Sequence, residues 1–432
     1  MKKVTLSHIA VTILIALAGT GSARAADRPN IVLIISDDQA WTDYSFIGHE
    51  HVQTPHLDRL AAQSLVFRRG YVPSSLCCPS LASIITGRYP HQHKVTSNDP
   101  PLPAGSTRGS PEWTAAFRDG REVMNRHLEA VPTLPRLLGE RGYLSLQTGK
   151  WWQGDYHRGG FTHGMTRGDR HGDDGLKIGR QSMQPIFDFI TTARRDDKPF
   201  FVWYAPMMPH DPHTPPERLF NKYKDKTPSP HVARYWAMIE WFDETCGQLH
   251  DHLDREQLAE NTIVLYVTDN GWIQDPAAAR YAPRSKQSPY DGGLRTPIMI
   301  RWPGKVVPRM SDDLAISIDL APTILAALGM PRSPDLQGVN LLDNDAVRQR
   351  KSIFGECFTH NAVDLNEPAK NLRWRWTIDD QWKLIVPHEA GQKTELYDIQ
   401  HDPHETKNLA QQAPMVVQAL ERKIDTWWSL PR

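Results

Sequence analysis

Two acidic clusters, each ending an apolar run, are the first residues in this 432-residue chain that could do chemistry. Asn30-Ile-Val-Leu-Ile-Ile-Ser36 runs into Asp37 and Asp38, and Thr262-Ile-Val-Leu-Tyr-Val-Thr268 runs into Asp269, Asn270 and Gly271. Carboxylate and carboxamide oxygens are hard ligands that suit Ca2+ or Mg2+ better than a softer metal. Alone, each cluster is bland: Asp-Asp after a strand caps a helix or faces solvent, and Asp-Asn-Gly is an ordinary turn. They make a cation site only where the fold brings the two run-ends together. A third segment, Cys77-Cys78-Pro79-Ser80-Leu81-Ala82-Ser83-Ile84-Ile85-Thr86-Gly87, sets Cys77 just before a helix, since Pro79 suits a first helical turn and Gly87 stops the helix. A helix start carries partial positive charge and free N–H groups, which stabilise an anion or an anionic nucleophile.

The elements that must position these groups follow from periodicity. Both apolar runs are continuous and β-branched, the pattern of strands buried on both faces of a parallel sheet. In an open α/β sheet ligands sit beyond the carboxyl ends of such strands, which is where the acidic clusters fall. Further strands are expected at 143–148, 200–204 and 297–301, with helices at 55–64, 79–86, 133–141, 184–193, 234–253 and 318–328. This alternation predicts an α/β domain over residues 26–335, a large and mostly parallel sheet sandwiched by helices. Beyond it, residues 336–432 carry three short strand-like runs at Trp374, Trp382 and Glu395 and a helical tail over 413–428, a smaller antiparallel sheet plus helix. Two long polar segments, 97–125 and 156–180, read as functional loops.

Fifty basic side chains balance fifty acidic ones, so no global field draws the chain to nucleic acid or to an anionic membrane, and any anion site must be local. Residues 1–25 read as a secretion signal, with Lys2 and Lys3, an apolar run from Ile9 to Ala18, and Ala23-Arg24-Ala25 for cleavage. The expectation is a periplasmic or secreted protein with no membrane segment after cleavage. Among four cysteines, adjacent Cys77 and Cys78 do not suit a mutual bridge; Cys246 and Cys357 read as buried thiols, with a disulfide between them the alternative.

The Cys-x-Pro-Ser segment followed by Ala-Ser-Ile-Ile-Thr-Gly-Arg resembles the signature of the type I sulfatases, in the alkaline phosphatase superfamily. The spacing selects Cys77 over Cys78, which is followed directly by Pro79. The resemblance spans nearly the whole chain after the signal. Arg28 to Asp38 resembles the family's opening strand and first metal ligands, and Thr54-Pro-His-Leu-Asp58 its first helix. Thr148-Gly-Lys150-Trp151 is similar to its active-site lysine motif, Pro209-His210-Asp-Pro-His213 to its sulfate-binding histidine motif, and Thr268 to Gly271 to its second metal segment. Lys286, four residues before Tyr290-Asp-Gly-Gly-Leu-Arg-Thr-Pro297, matches its second lysine. Glu395-Leu-Tyr-Asp398 with Asp402-Pro403 and Asn408-Leu409 is similar to its C-terminal strand and turn.

The resemblance implies that a maturation enzyme oxidises Cys77 to formylglycine. An oxygen of the hydrated aldehyde then attacks sulfur, the alcohol leaves, and collapse to the aldehyde expels sulfate. It implies Ca2+, or Mg2+, held by Asp37, Asp38, Asp269, Asn270 and the modified Cys77. Lys150 and Lys286 would neutralise sulfate oxygens and His210 would donate to the ester. Two positions depart from the family: Leu81 stands where an Arg is usual, and Trp152 where a His is frequent. Another residue must then take the histidine's place, and His93, His157 and His163 are the candidates. The expected activity is removal of sulfate from a sulfated carbohydrate. The alternatives are a phosphoester or phosphonate hydrolase on the same fold and a silent binder of sulfated glycans.

Overall fold

The computed structural model describes residues 28–430, so the signal read at 1–25 lies outside the described residues. Two apolar layers clothe a central eight-stranded sheet. Its strands are β1 (Asn30–Ser36), β2 (Leu65–Tyr71), β3 (Leu144–Gly149), β4 (His163–Gly164), β5 (Phe200–Ala205), β6 (Thr262–Thr268), β7 (Arg295–Arg301) and β8 (Arg309–Ile316). They lie in the order β4-β3-β5-β1-β6-β7-β2-β8. The first five in that order are mutually parallel; β7 runs antiparallel to both β6 and β2, and β8 is parallel to β2. Alternate residues of β1 enter opposite cores, Ile31, Leu33 and Ile35 on one face and Val32 and Ile34 on the other, which is why the run is apolar throughout.

A second sheet is antiparallel, in the order β12-β11-β10-β9: β9 (Ser352–Phe358), β10 (Leu372–Asp379), β11 (Trp382–Pro387) and β12 (Glu395–Asp398). The helix Pro414–Trp427 covers one face through Leu420 and Ile424, packed with Leu384 and Leu396. The architecture is therefore the α/β sheet with a smaller antiparallel unit that the sequence pattern implies.

Several elements go beyond that pattern, among them the two-residue β4, the short helices Glu217–Tyr223 and Asn344–Gln349, and the following strands and long helix. β2 reads Leu-Val-Phe-Arg-Arg-Gly-Tyr, and β8 opens on exposed Arg309 and Met310, so neither shows a clean apolar run. β9 was likewise not anticipated. The segment 97–125, read as a loop, contains most of a 19-residue helix, Pro111–Glu129, whose N-cap Ser110 accepts from the Trp113 N–H at 3.2 Å. Cys246 and Cys357 are both free and buried, so the disulfide alternative fails.

The two sheets are joined by a buried ionic cluster. Lys383 Nζ lies 2.8 Å from Asp291 Oδ1 and 2.8 Å from Glu405 Oε1, all three side chains being inaccessible, and Tyr71 donates to Asp291 Oδ2 at 3.1 Å. Removing the cation leaves two carboxylates buried together. Lys383→Met is expected to cost about 3–5 kcal/mol, read from the urea unfolding midpoint. Arg68→Ala, which breaks an exposed pair with Asp312, should cost under about 1 kcal/mol.

Candidate active site

Register builds the first half of the site. β1 and β6 pair in parallel from Asn30 with Thr262 to Ser36 with Thr268, so both acidic clusters leave the sheet side by side. Asp38 turns the chain in the left-handed region, at φ 64°. The Asp38 and Asn270 backbone N–H groups donate to Asp269 Oδ1 at 3.0 and 2.6 Å, and Asn270 Nδ2 donates to Asp38 Oδ1 at 2.6 Å. This last bond fixes the Asn270 amide. Asp37 Oδ2, Asp269 Oδ2 and Asn270 Oδ1 remain buried without a hydrogen-bond partner.

Lys150 follows the last residue of β3. Gly149 has φ +74°, and a Cβ there would meet Ala205 O at 1.9 Å, so only glycine lets β3 turn Lys150 inward against β5. Lys150 Nζ then reaches Asp37 Oδ1 at 2.7 Å and Cys77 Sγ at 3.2 Å. Lys286 Nζ comes from the other side, 2.7 and 2.6 Å from the two Asp38 oxygens and 3.2 Å from the same sulfur. His210 Nε2 lies 3.3 Å from Asp38 Oδ2, and its Nδ1 lies 2.8 Å from Asp211 Oδ1. Cys77 is itself the first residue of the helix Cys77–Thr86, which starts two residues earlier than the expected 79–86. Ligand atoms of Asp37, Asp38, Cys77 and His210 fall within 4.8 Å of one another.

Burial pushes the Asp37 carboxyl up to about 7 although Lys150 opposes it, and burial likewise raises Asp269. At Asp38 the burial cost is overcome by Lys286, His210 and Lys150, which hold the carboxyl below its usual range. Burial raises the Cys77 thiol strongly despite the two ammoniums, so an unmodified Cys77 stays protonated and is a poor nucleophile. Burial would lower both lysines, yet the surrounding carboxylates and the sulfur raise them, and both stay charged.

All eight residues singled out in the sequence meet at this one point. None of the three histidines considered as a replacement at Trp152 does. His93 is buried with Nε2 on Ser83 Oγ at 3.0 Å, while His157 and His163 are exposed. The structure brings His171 instead, its ring edge-on to Trp152 at 4.4 Å, lining a cavity of about 440 Å³ with Cys77, Trp152, Arg170, His210 and Lys286. Its loop of Gly, His, Arg and Asp has no periodicity that could order its histidines; only its length and polarity marked it. Leu81 is packed in the apolar core and offers no charge.

Central strand ends that gather clustered acids, two buried lysines and a helix-start cysteine define a hydrolase of anionic esters. The sulfatase family profile matches residues 29–330, and that of the N-sulphoglucosamine sulphohydrolase C-terminal region matches residues 284–427; the chain belongs to the sulfatase family. Human arylsulfatase A is 30% identical, covering 95% of this chain and 89% of its own. The N-acetylgalactosamine-6-O-sulfatase of Bacteroides thetaiotaomicron is 25% identical over 93% of each. Among solved structures, Ps i-CgsB in complex with k-i-k-neocarrahexaose superposes with TM-score 0.75 at 21% identity, covering 93% of both chains. The phosphonate monoester hydrolase of Agrobacterium radiobacter shares the fold with TM-score 0.69 at 18% identity, covering 92% of this chain and 95% of its own. The protein is a sulfuric ester hydrolase.

Gly149→Ala is expected to cost about 2–4 kcal/mol of stability through overlap and left-handed strain. In the fraction that still folds at low temperature it should cut sulfate-ester hydrolysis more than tenfold, because Lys150 can no longer reach Asp37 and Cys77. Circular dichroism melts with parallel rate assays check both.

Proposed function

We propose that this sulfatase is exported and removes sulfate from a sulfated carbohydrate, using formylglycine made from Cys77 and a bound divalent cation, Ca2+ or alternatively Mg2+. The observation that carries the reading is the trio of partnerless buried oxygens, Asp37 Oδ2, Asp269 Oδ2 and Asn270 Oδ1, beside a sulfur flanked by two ammoniums. Unsatisfied hard oxygens at this depth fit a hard cation. Asp37, Asp38, Asp269 and Asn270 would hold it, with the modified Cys77 as a further ligand. Bound there, the cation supplies positive charge that favours an anionic nucleophile and screens the anionic ester. Formylglycine supplies an oxygen nucleophile where the buried thiol cannot ionise.

The chain's own residues do the rest. Lys150 and Lys286 converge on the reacting atom from opposite sides and are placed to neutralise sulfate oxygens as charge builds. His210, oriented by Asp211, is placed to donate from Nε2 toward the leaving oxygen. The sugar reading is supported by a cavity lined with polar side chains and Trp152, by the named substrates of the relatives, and by the neocarrahexaose held by a protein of the same fold. Among the described residues no helix is long and apolar enough to cross a membrane, and the read signal supports export to the periplasm or beyond.

Co-expression with a formylglycine-forming enzyme should give a Cys77 peptide whose mass shows thiol replaced by aldehyde. That protein should hydrolyse at least one sulfated saccharide, and Cys77→Ala should reduce turnover to background. An unconverted Cys77, or a phosphate diester cleaved faster than every sulfate, would overturn the reading. Separately, Ca2+ added to chelator-treated protein at a hundredfold excess over Kd should stabilise it by about 2.7 kcal/mol. Asp269→Ala should abolish that response in thermal shift.

A further inference from the structure

We infer that His171 is a second substrate-contacting imidazole of this site, a neutral N–H donor whose Nδ1 hydrogen bonds an oxygen of the bound sulfate ester. This rests on the reading that the ester occupies the Cys77 cavity. Arg170 Nη1 lies 2.8 Å from His171 Nε2. A guanidinium donates and never accepts, so Nε2 must carry the lone pair and the ring's hydrogen sits on Nδ1. Arg170 is itself held in place, since its Nε and Nη2 donate to the two oxygens of Asp99 at 2.8 and 2.9 Å and its guanidinium lies 4.8 Å over the Trp152 ring. The chain Asp99, Arg170, His171 thus sets a tautomer, as an orienting partner does for a reacting histidine.

The backbone is equally constrained. His171 has φ 71°, and its carbonyl accepts from the Trp151 N–H at 2.9 Å, which ties it to the residue after Lys150. A non-glycine residue held left-handed is a stored cost that the surroundings must enforce. Nδ1 has no hydrogen-bond partner among the described residues, while the ring borders the cavity and its centroid lies 6.0 Å from that of His210. Burial and the neighbouring Lys150, Arg170, His210 and Lys286 keep the ring from taking up a proton, consistent with a donor that stays neutral. His210 approaches from the Asp38 side and His171 from the Trp152 side, so two imidazoles flank the cavity.

Wild type, His171→Ala and His171→Asn are compared after mass spectrometry shows equal Cys77 conversion. With 4-nitrophenyl sulfate, Ala should lower kcat about 10²-fold with KM within threefold, the size of loss typical of one transition-state donor. Asn tolerates positive φ and carries an amide N–H close to where Nδ1 stood, so it should recover to within tenfold of wild type. Ala within threefold of wild type, or Asn no better than Ala, overturns the inference. Should Ala fail to fold, His171→Gly replaces it, since glycine accepts this φ freely. If converted wild type hydrolyses no sulfate ester, the functional reading is what fails. His171 is then judged by thermal-shift titration with inorganic sulfate: affinity lost in Ala and regained in Asn supports the donor, and equal affinity in all three overturns it.

Discussion

Three carboxylates share one desolvated pocket, and the carboxyl end of the central sheet is arranged around that constraint. Asp37, Asp38 and Asp269 are all buried, placed side by side by the parallel register of β1 on β6. Like charges this close repel, and burial removes the water that would screen them. Lys150 answers Asp37 and Lys286 answers Asp38, but neither bonds Asp269, which relies on backbone N–H groups at one oxygen alone. Two ammoniums against three carboxylates leave a negative surplus and three free oxygens at the same spot. A divalent cation would complete that arrangement, and without one burial pushes Asp37 and Asp269 toward protonation while Lys286 keeps Asp38 ionised.

Both lysines are long, flexible side chains, so the backbone beneath them matters more than their own geometry. Lys150 depends on the Gly149 turn against β5. Lys286 depends on the antiparallel unit: Arg284, two residues before it, donates to the Glu405 carbonyl, Tyr290 donates to Glu395, and Asp291 N–H donates to the Glu405 carboxylate at 2.7 Å. The Lys383 cluster locks the same segment from beneath. The smaller sheet therefore does more than cover the larger one. It fixes the loop that carries Lys286, one of the two ammoniums beside Cys77 Sγ, so the run Glu395 to Glu405 shapes the site without contacting the sulfur.

How much of this was legible depended on how strongly each element was buried. β1 and β6 are enclosed on both faces, so sequence alone marks them, and the acids at their ends come with them. Lys150, His210 and Lys286 are isolated polar residues whose meeting is set by tertiary structure, and only the ordered motifs pointed to them. β2 and β8 escaped notice because edge or mixed positions leave their charged residues in solvent and blur the period. The helix Pro111–Glu129 is half exposed and carries a glycine at 120, whose missing Cβ admits Pro100. His171 was invisible for a different reason: its place is set by a left-handed kink and a bond to Arg170, and neither leaves a pattern in sequence.

Leu81 and Trp152 make sense together once the charges around them are located. Leu81 points into the core, so the helix that starts at Cys77 delivers no cation of its own near the sulfur. Trp152 is buried beside that helix, with Arg121 at 5.4 Å and Arg170 at 4.8 Å over its ring. An indole face attracts cations, and a desolvated pair of this kind is worth about 2 kcal/mol. The ring thereby holds two guanidiniums that come from residues 121 and 170, far from position 81 in sequence. Arg121 also donates to the Asn98 carbonyl, and Asn98 Oδ1 accepts from the Cys78 N–H, which ties the helix start to the same group. The guanidiniums packed on this ring therefore come from segments outside the cysteine helix, and Arg170, held there by Asp99, in turn bonds the His171 imidazole at the cavity wall.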